Sequence, residues 1–306
     1  MAEQTSTYRS GVVALLGRPN VGKSTLLNSL VGQKLAAVSP RPQTTRVRQI
    51  GILTLPSAQA VLVDTPGFHF PRDRLGEFMA RTAQQALEDA DVILWILDAS
   101  RPAQADDRLV AERLGAPGVR EKVLVVLNKT DLAPPANRER LAGEARRVLA
   151  EAPVLEICAT SGKGVPELLA ATLGRLPLGQ ALYPEDQVTE TSEREIVSEL
   201  IREAALCYLR EEVPHGLAVR VDQFRERPQG KTFVAATLIV EKESHKPILI
   251  GKGGQRLKQI GIQARREIES ALGRNLFLSM RVKVYPNWRE REGLLRRLGF
   301  RAPRQS

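Results

Sequence analysis

The sequence predicts an α/β domain with a mostly parallel sheet, followed by a smaller α+β domain. Between residues 11 and 175, short apolar runs alternate with helical stretches, which is typical of a doubly wound α/β domain. Most of these runs are almost entirely apolar, as expected of strands buried on both faces of a parallel sheet. The pattern breaks between residues 177 and 191, where prolines and a glycine predict a linker.

The first domain is expected to cover residues 10–176, after a flexible N-terminus at 1–9. Its predicted strands are Gly11–Leu16, Val61–Asp64, Val92–Asp98, Lys122–Asn128 and Val154–Ala159. Its predicted helices are Lys23–Leu30, Gly76–Glu88, Ala105–Leu114, Asn137–Ala150 and Val165–Arg175. The run Arg48–Leu55 continues through Pro56–Ser57 into the next strand, which predicts a hairpin and therefore one antiparallel edge strand.

The second domain is expected to cover residues 192–306, with the order α-β-β-α-α-β. Its first helix begins after Ser192, a residue preferred as an N-cap, and ends near Glu212 because Pro214 and Gly216 follow. The later elements are predicted at Ala218–Arg225 (strand), Thr232–Glu241 (strand), a short helix, about Gln255–Leu272 (helix) and Leu276–Tyr285 (strand).

The composition excludes several classes of protein. With 42% hydrophobic and 26% charged residues, the chain is not expected to be disordered. No apolar run approaches the ~20 residues that a membrane helix needs, and the N-terminus lacks the pattern of a signal peptide. Two cysteines, Cys158 and Cys207, exclude a disulfide scaffold and fit a reducing cytoplasm. His69, His215 and His245 lack ligand spacing, so we predict no metal site on them.

The positive charge is concentrated near the C-terminus. The whole chain carries a net +10, whereas residues 246–306 carry +11 and residues 181–245 carry −5. Such a block indicates a polyanionic partner, with nucleic acid as the first candidate and anionic lipid as the second. A basic surface that contacts only solvent and binds no partner explains the charge equally well.

A phosphate-binding loop joins the first predicted strand to the first helix. Residues 17–24 read GRPNVGKS and match GxxxxGK[ST] in the context that this motif requires. Backbone N–H groups of such a loop bind phosphate oxygens, Lys23 is expected to reach the β- and γ-phosphates, and Ser24 is expected to bind Mg²⁺. The predicted phosphate-binding set is Gly17, Arg18, Pro19, Asn20, Val21, Gly22, Lys23, Ser24 and Thr25.

A second motif predicts which base the bound nucleotide carries. Residues 128–131 read NKTD at a strand end, the guanine-reading motif of P-loop GTPases. The Asp131 carboxylate can accept hydrogen bonds from two donors of guanine that adenine lacks. A backbone N–H at Cys158-Ala159 is expected to contact guanine O6, although Cys158 is equally well explained as a small buried residue. The base-binding set is Asn128, Lys129, Thr130, Asp131, Cys158 and Ala159.

Two loops are predicted to respond to the nucleotide. Asp64 is expected to hold Mg²⁺ through water, and the Gly67 N–H to bind the γ-phosphate. Thr44 or Thr45 is expected to close over Mg²⁺, and we favour Thr45. The predicted metal set is Ser24, Thr45 and Asp64, the predicted catalytic set is Lys23, Thr45 and Gly67, and the nucleotide-binding set also includes Asp64, Thr65, Pro66, Gly67 and Phe68.

Phe68 stands where Ras-like enzymes place the glutamine that orients the attacking water. Because phenylalanine cannot orient water, we expect slow basal hydrolysis until a partner helps. We also expect Asn20 to help hold a K⁺ ion beside the phosphates, which would supply the charge of an arginine finger. Equal turnover in NaCl and KCl would count against the K⁺ ion.

The C-terminal half contains GKGG at residues 251–254, before a basic amphipathic helix. A GxxG loop between two short helices, in this element order, is typical of a type II KH domain, whose groove clamps about four unpaired nucleotides. The apolar helix face is predicted to hold Leu257, Ile260, Ile262, Ala264 and Ile268. Single-stranded RNA is the favoured ligand, with predicted contacts at Ile250, Gly251, Lys252, Gly253, Gly254, Lys258 and Arg265. Trp288 and Arg289 could stack on a base, or Trp288 could equally cap the core.

These motifs together resemble the Era family of bacterial GTPases, from about Gly11 to about Arg289. The matching segments are GRPNVGKST (17–25), QTTR (43–46), DTPGFH (64–69), NKTD (128–131), YPEDQVT (183–189), KPILIGKGG (246–254) and the closing NWRE. The resemblance implies binding of GTP and Mg²⁺, binding of the 3′ end of small-subunit rRNA, and assistance to small-subunit maturation. It also implies a cytoplasmic location with some peripheral association with the inner membrane. The sequence departs from the family at Cys158, where serine is usual.

The leading hypothesis is therefore a monomeric, GTP-hydrolysing switch that binds GTP and GDP, the rRNA 3′ end and the small ribosomal subunit, with the linker as its hinge. The alternative is a membrane-associated signalling GTPase whose basic C-terminal region binds anionic lipid, although no lipidation motif supports it. A nucleotide-insensitive RNA chaperone is a third hypothesis, and the intact phosphate and guanine motifs argue against it.

Overall fold

The computed structural model describes residues 7–39, 45–68, 71, 73–226 and 230–300. The strands are β1 (Arg9–Leu16), β2 (Gln49–Leu55), β3 (Ala58–Asp64), β4 (Val92–Asp98), β5 (Val123–Asn128), β6 (Val154–Glu156), β7 (Ala218–Arg225), β8 (Thr232–Val240) and β9 (Leu276–Val284). The helices are α1 (Lys23–Val31), α2 (Arg74–Asp89), α3 (Ala105–Leu114), α4 (Pro135–Val148), α5 (Val165–Leu173), α6 (Glu193–Tyr208), α7 (His245–Ile250), α8 (Gln255–Leu272) and α9 (Glu292–Arg297).

The first six strands form one sheet in the order β2-β3-β1-β4-β5-β6. Only the β2–β3 pair is antiparallel, which confirms the predicted edge hairpin. Helices α1 and α5 pack on one face of the sheet, and α2, α3 and α4 pack on the other. Because β1, β3, β4 and β5 are parallel, their carboxyl ends lie at one edge, where open α/β sheets bind ligands.

The last three strands form a second sheet in the order β7-β8-β9. Strands β7 and β8 are antiparallel, and β8 and β9 are parallel. Helices α6 and α8 cover one face through residues such as Leu200, Ala204, Ile260 and Ala264. The predicted α/β and α+β architecture and its element order are confirmed. In the described part of the chain, no helix is long and apolar enough to cross a membrane.

Several predicted boundaries differ from the structure, three of them with a visible cause. Arg9 was assigned to a flexible N-terminus but begins β1, where it pairs with Ala58. Strand β6 ends at Glu156 rather than Ala159, because the Cys158 N–H turns to the carbonyl of Lys163. Helix α6 ends at Tyr208, four residues before Glu212, since the chain is already extended at Leu209.

The segment between the two sheets is held against the first sheet. The Pro177 carbonyl accepts a hydrogen bond from Ser10 at 3.1 Å, and the Val188 carbonyl accepts one from Ile52 at 2.8 Å. Midway, the buried amide of Gln59 donates to the Tyr183 carbonyl at 3.0 Å. In this structure the predicted linker therefore runs along the edge of the sheet rather than as a free hinge, while the domain limits remain a prediction.

Candidate nucleotide and nucleic-acid sites

A cavity of about 580 Å³ opens at the carboxyl edge of the first sheet. The predicted residues that line it are Arg18, Pro19, Asn20, Gly22, Lys23, Ser24, Thr25, Thr45, Gly67 and Lys129. They come from four separate stretches of sequence, which the parallel sheet brings to one edge. The fold therefore assembles a single polar cavity from the predicted phosphate loop, both predicted switch loops and the guanine-reading loop.

Lys23 is a buried cation in this cavity. Its ammonium donates to the carbonyls of Gly17 and Arg18, both at 3.1 Å, so the phosphate loop curls around it. Burial lowers the pKa of Lys23 to about 8, although the nearby Asp64 carboxylate acts in the opposite direction. A desolvated ammonium at the start of α1 is well placed to bind a polyphosphate.

Three oxygen-bearing side chains meet where Mg²⁺ is predicted. The Ser24 and Thr45 hydroxyls lie 2.8 Å apart, and they donate to Asp64 Oδ2 at 2.5 and 3.1 Å. Asp64 is fully buried, and burial raises its pKa. Among the residues that the structure describes, none forms a hydrogen bond with its Oδ1. Mg²⁺ prefers hard oxygen ligands of this kind, so the set fits the ion. Thr44, the other candidate, lies outside the described residues.

Gly67 brings the second predicted switch loop against the phosphate loop. A Cβ atom at this position would lie 2.5 Å from the backbone nitrogen of Pro19. Only glycine permits this close approach. Phe68 is different from the expectation, because its side chain is buried in the core beneath Arg113 rather than in the cavity. The side chain therefore supplies no group that orients water, while the Phe68 N–H donates to the Gly17 carbonyl of the phosphate loop at 3.3 Å. Its predicted contact with the nucleotide stays a prediction for the backbone.

The guanine-reading loop is fastened to the phosphate loop. The Asn128 amide donates to the Val21 carbonyl at 2.8 Å, and its oxygen accepts from the Ala159 N–H at 3.0 Å. That N–H, which we expected to contact guanine O6, is thus already engaged. Lys129 donates to the Asn20 carbonyl at 2.7 Å, and Asp131 is exposed on the following turn.

The other predicted nucleotide-binding residues do not line this cavity. They are Gly17, Val21, Asp64, Thr65, Pro66, Phe68, Asn128, Thr130, Asp131, Cys158 and Ala159. Thr65 and Thr130 bond to the carbonyls of Leu15 and Ile157, both at 2.9 Å, and so hold their loops to the strand ends. Cys158 is buried beside Thr160, in agreement with the interpretation that it is a small buried residue.

Sequence reasoning missed Asp98, which lines the cavity at the end of β4. Its Oδ2 accepts from Lys129 Nζ at 2.7 Å and lies 3.5 Å from the guanidinium of Arg18. Although burial opposes the effect, the bonds from Lys129 and Ser100 hold the pKa of Asp98 below its ordinary value. One ionised carboxylate thus joins the phosphate loop to the guanine-reading loop. An aspartate at a strand end was the available signal.

We expect Asp98→Asn to weaken GTP and GDP binding alike, by about 10-fold. The reason is that asparagine keeps the size but removes the charge that holds Lys129 and Arg18, an interaction of about 1–3 kcal/mol. Isothermal titration with both nucleotides measures it. Asp106→Asn, on the rim of the same cavity, is the matched control and should change affinity less than twofold. Equal losses in both variants would contradict the role of Asp98.

The GKGG loop and a groove lie in the second domain. Gly253 and Gly254 have φ angles of +58° and +78° and nothing within 4 Å of a notional Cβ, so their backbone is open to a ligand. The adjoining groove of about 390 Å³ runs between α8 and β9, and its lining includes Gly254, Lys258 and Arg265. Of the other predicted contacts, Ile250 ends α7, and Gly251, Lys252 and Gly253 form the loop beside the groove.

The groove also contains residues that the sequence did not reveal. Ile262 was assigned to the buried face of α8 but is 41% exposed and lines the groove with Phe277 and Met280. The α8 residues that are buried are Ile260, Ala264 and Ile268, spaced by four. Trp288 is fully buried and donates to the Gly216 carbonyl at 2.9 Å, so it caps the core and cannot stack on a base.

The first predicted switch loop and the start of α2, which follows the second one, contact the second domain. Arg46, next to Thr45, is 2% exposed and donates to the carbonyls of Leu217 at 2.6 Å, His215 at 2.9 Å and Pro214 at 3.2 Å. Burial lowers the pKa of Arg46 to about 9, so its guanidinium remains charged at neutral pH.

A second contact lies at the start of α2. Asp73 accepts from Arg289 at 2.7 Å, and Arg289 also donates to Glu241 at 2.8 Å. Arg289 is therefore committed to carboxylates rather than free to stack on a base. Together with the Arg46 contacts, this pair joins the first predicted switch loop and the start of α2 to the second domain.

The fold and the two sites define a P-loop GTPase joined to a type II KH domain. Residues 12–129 match the family described as 50S ribosome-binding GTPase, and residues 212–289 match the KH domain family. The chain is 44% identical over 295 residues to the GTPase Era of Lacticaseibacillus paracasei, covering 96% of this chain and 98% of that protein. It is 42% identical to the GTPase Era of Carboxydothermus hydrogenoformans, with the same coverage.

Solved structures agree. A crystal structure of Era in complex with MgGDPNP and nucleotides 1506–1542 of 16S ribosomal RNA is similar with a TM-score of 0.90 and 39% identity, covering 96% of this chain and 99% of that one. A variant of Aquifex aeolicus Era bound to GDP·AlF4⁻ gives the same TM-score and identity, with 95% and 99% coverage. The chain belongs to the Era family of GTPases and hydrolyses GTP.

Proposed function

We propose that this GTPase binds the single-stranded 3′ end of small-subunit rRNA in its KH groove and assists small-subunit assembly, with the nucleotide controlling the RNA-binding domain. The observation that carries the proposal is the pair Thr45–Arg46. Thr45 bonds the predicted Mg²⁺ ligands, while the next side chain is buried in carbonyls of the KH domain. A change of nucleotide that moves Thr45 must therefore act on the KH domain.

Three observations support the RNA ligand. The relative solved with MgGDPNP is bound to a fragment of 16S ribosomal RNA and matches this chain over nearly its full length. The groove beside the GKGG loop presents Lys258 and Arg265, both exposed. The last sixty-one residues carry a net +11, which favours phosphate.

The nucleotide site suggests how this chain acts on GTP. Lys23 neutralises charge on the β- and γ-phosphates, and the Gly67 N–H binds the γ-phosphate. Bound through Ser24, Thr45 and Asp64, Mg²⁺ would neutralise developing phosphate charge. Because the buried Phe68 supplies no group to position water, we propose a slow basal rate that a partner raises. K⁺ near Asn20 also remains a proposal.

The test is the affinity for a single-stranded 3′-terminal rRNA fragment, measured with GDP and with a non-hydrolysable GTP analogue at one fixed salt concentration. We expect the two affinities to differ by about 10-fold, which is ~1.4 kcal/mol of coupling. Gly253→Asp, which places a negative charge in the open loop, should abolish binding in both states. Tight but equal affinities would contradict nucleotide control. Binding to anionic vesicles in preference to RNA would favour the membrane hypothesis.

A further inference from the structure

Phe277 is an exposed aromatic residue on β9. Its side chain is 57% exposed, although phenylalanine is normally buried. Its ring stacks on that of Phe233 on the neighbouring strand, with centroids 5.9 Å apart and planes inclined by 11°. Two stacked rings at a surface form a flat apolar platform with one face open, which is the geometry on which nucleic-acid bases stack.

The platform lies on the sheet face that α6 and α8 do not cover. Register places Arg225, Phe233 and Phe277 in one row across the three strands. Along β9, every second residue after Phe277 is exposed on the same face, namely Ser279, Arg281 and Lys283. Cross-strand neighbours share a face of the sheet. Phe277 therefore belongs both to the row across the three strands and to the line of exposed residues along β9.

The opposite end of this sheet face is covered by packing against α2 and Trp288. Ala218 and Ile239 are buried there in a cluster with Trp288 and with Leu75 and Met79 of α2. The GTPase domain thus covers one end of the face, whereas Phe277 at the other end remains exposed among the described residues.

The open end is continuous with the KH groove. Phe277 belongs both to the platform and to the groove lining, where it lies with Gly254, Ile262 and Arg265. A strand held in the groove therefore reaches the platform by passing over the β9 edge at Phe277. Lys231, at the start of β8, also lines the groove and adds positive charge at this edge.

The charge of the face suits a polyanion. Among the described residues of its three strands, Arg220, Arg225, Arg281 and Lys283 supply four positive charges, and Asp222 supplies a negative one. Asp222 and Thr237 hold the Arg281 guanidinium at 3.0 and 2.8 Å, so it is fixed above the sheet while 58% of its side chain remains exposed. Arg281 lies roughly 13 Å along the strand from Phe277, a distance that a few nucleotides span.

We propose that this face is a second RNA subsite. The strand leaving the KH groove turns over β9, stacks a base on the Phe277–Phe233 pair and places its phosphates along Arg281 and Lys283. The subsite rests on the proposed function, because it extends an RNA strand already held in the groove. An apolar protein partner is less well matched, since charged side chains surround the two rings.

The test compares two RNA lengths, one of about four nucleotides that fills only the groove and a 3′-extended one of about ten. Phe277→Leu keeps the apolar groove wall but removes the stacking ring, and Lys283→Glu reverses a charge beyond the groove. We expect each variant to weaken the long RNA about 10-fold and to change the short RNA less than twofold. Arg146→Glu, an exposed charge reversal on α4, is the control and should change neither.

A crosslinking measurement separates stacking from packing. 5-Iodouridine placed beyond the first four nucleotides should crosslink to Phe277, and the adduct should disappear in Phe277→Leu. The subsite is overturned if both lengths weaken equally in Phe277→Leu, which would make the ring a wall of the groove only. It is also overturned if neither variant affects the long RNA while Gly253→Asp abolishes binding, a result that leaves the proposed function intact. Failure of the wild-type protein to bind either RNA would instead overturn the proposed function.

Discussion

Replacing Lys23 by alanine should lower the affinity for GTP and GDP by at least 100-fold and remove measurable GTP hydrolysis. Lys23 is the buried ammonium of the phosphate loop, where it donates hydrogen bonds to the carbonyls of Gly17 and Arg18. Truncating one partner of a desolvated charge pair costs about 2–5 kcal/mol. In Lys23→Ala the bound phosphates would lose their charged partner in this way. Fluorescent-nucleotide titration and a phosphate-release assay measure the two effects.

The same substitution should leave the nucleotide-free protein as stable as before. Burial lowers the pKa of Lys23, so the folded protein holds this ammonium against a desolvation cost. We therefore expect Lys23→Ala to melt no lower than wild type without nucleotide, and to lose the rise in melting temperature that excess GDP produces. Arg146→Ala, on the exposed surface of α4, should keep that rise. Persistent GDP stabilisation in Lys23→Ala would show that the phosphates bind elsewhere.

The nucleotide site was largely predictable because its residues lie in short motifs. In GRPNVGKS and NKTD, spacing along the chain fixes the position of each residue relative to a strand end. Asp98 was not predicted, because it belongs to no sequence motif. It meets Lys129 and Arg18 only because β4 lies between β1 and β5 in the sheet.

The second domain shows a similar limit. Element order and the GKGG loop predicted its fold, since strand and helix periodicities are local properties. Ile262 was misplaced because a broad apolar stripe on a helix does not reveal which edge a groove leaves open. The sequence allowed two interpretations of Trp288. Its buried position includes a hydrogen bond to the Gly216 carbonyl, 72 residues earlier in the chain, which no local pattern reveals.

Arg46 was the least predictable functional residue. An arginine in a loop is normally solvated, and only the packing of two domains buries it. Its guanidinium satisfies the carbonyls of Pro214, His215 and Leu217, while Trp288 satisfies that of Gly216. Four consecutive carbonyls are thus bonded by one side chain from each domain. Such a contact can transmit a movement because it leaves few ways to shift without breaking several bonds at once.

We expect Arg46→Ala to make the two domains unfold independently of each other while the nucleotide site keeps its activity. Loss of the guanidinium leaves buried carbonyls unpaired, at about 1–3 kcal/mol for each one that water does not reach. Denaturant unfolding should therefore change from one transition to two. GTP turnover should stay within threefold of wild type, because the guanidinium points away from the cavity that Thr45 lines. The ratio of RNA affinities between the two nucleotide states should fall to about 1.

Trp288 provides an independent measurement, since its ring lies 5.9 Å from the Arg46 guanidinium. In a Trp95→Phe background it is the remaining tryptophan, and its fluorescence should shift when GDP is exchanged for a GTP analogue. That shift should be lost in Arg46→Ala. Asp73→Asn is the matched comparison, because it weakens the Arg289 contact at the other switch loop while leaving the carbonyl contacts intact. Retention of both the fluorescence shift and the affinity ratio in Arg46→Ala would place the coupling in the Asp73–Arg289 contact instead, and Asp73→Asn should then lose both.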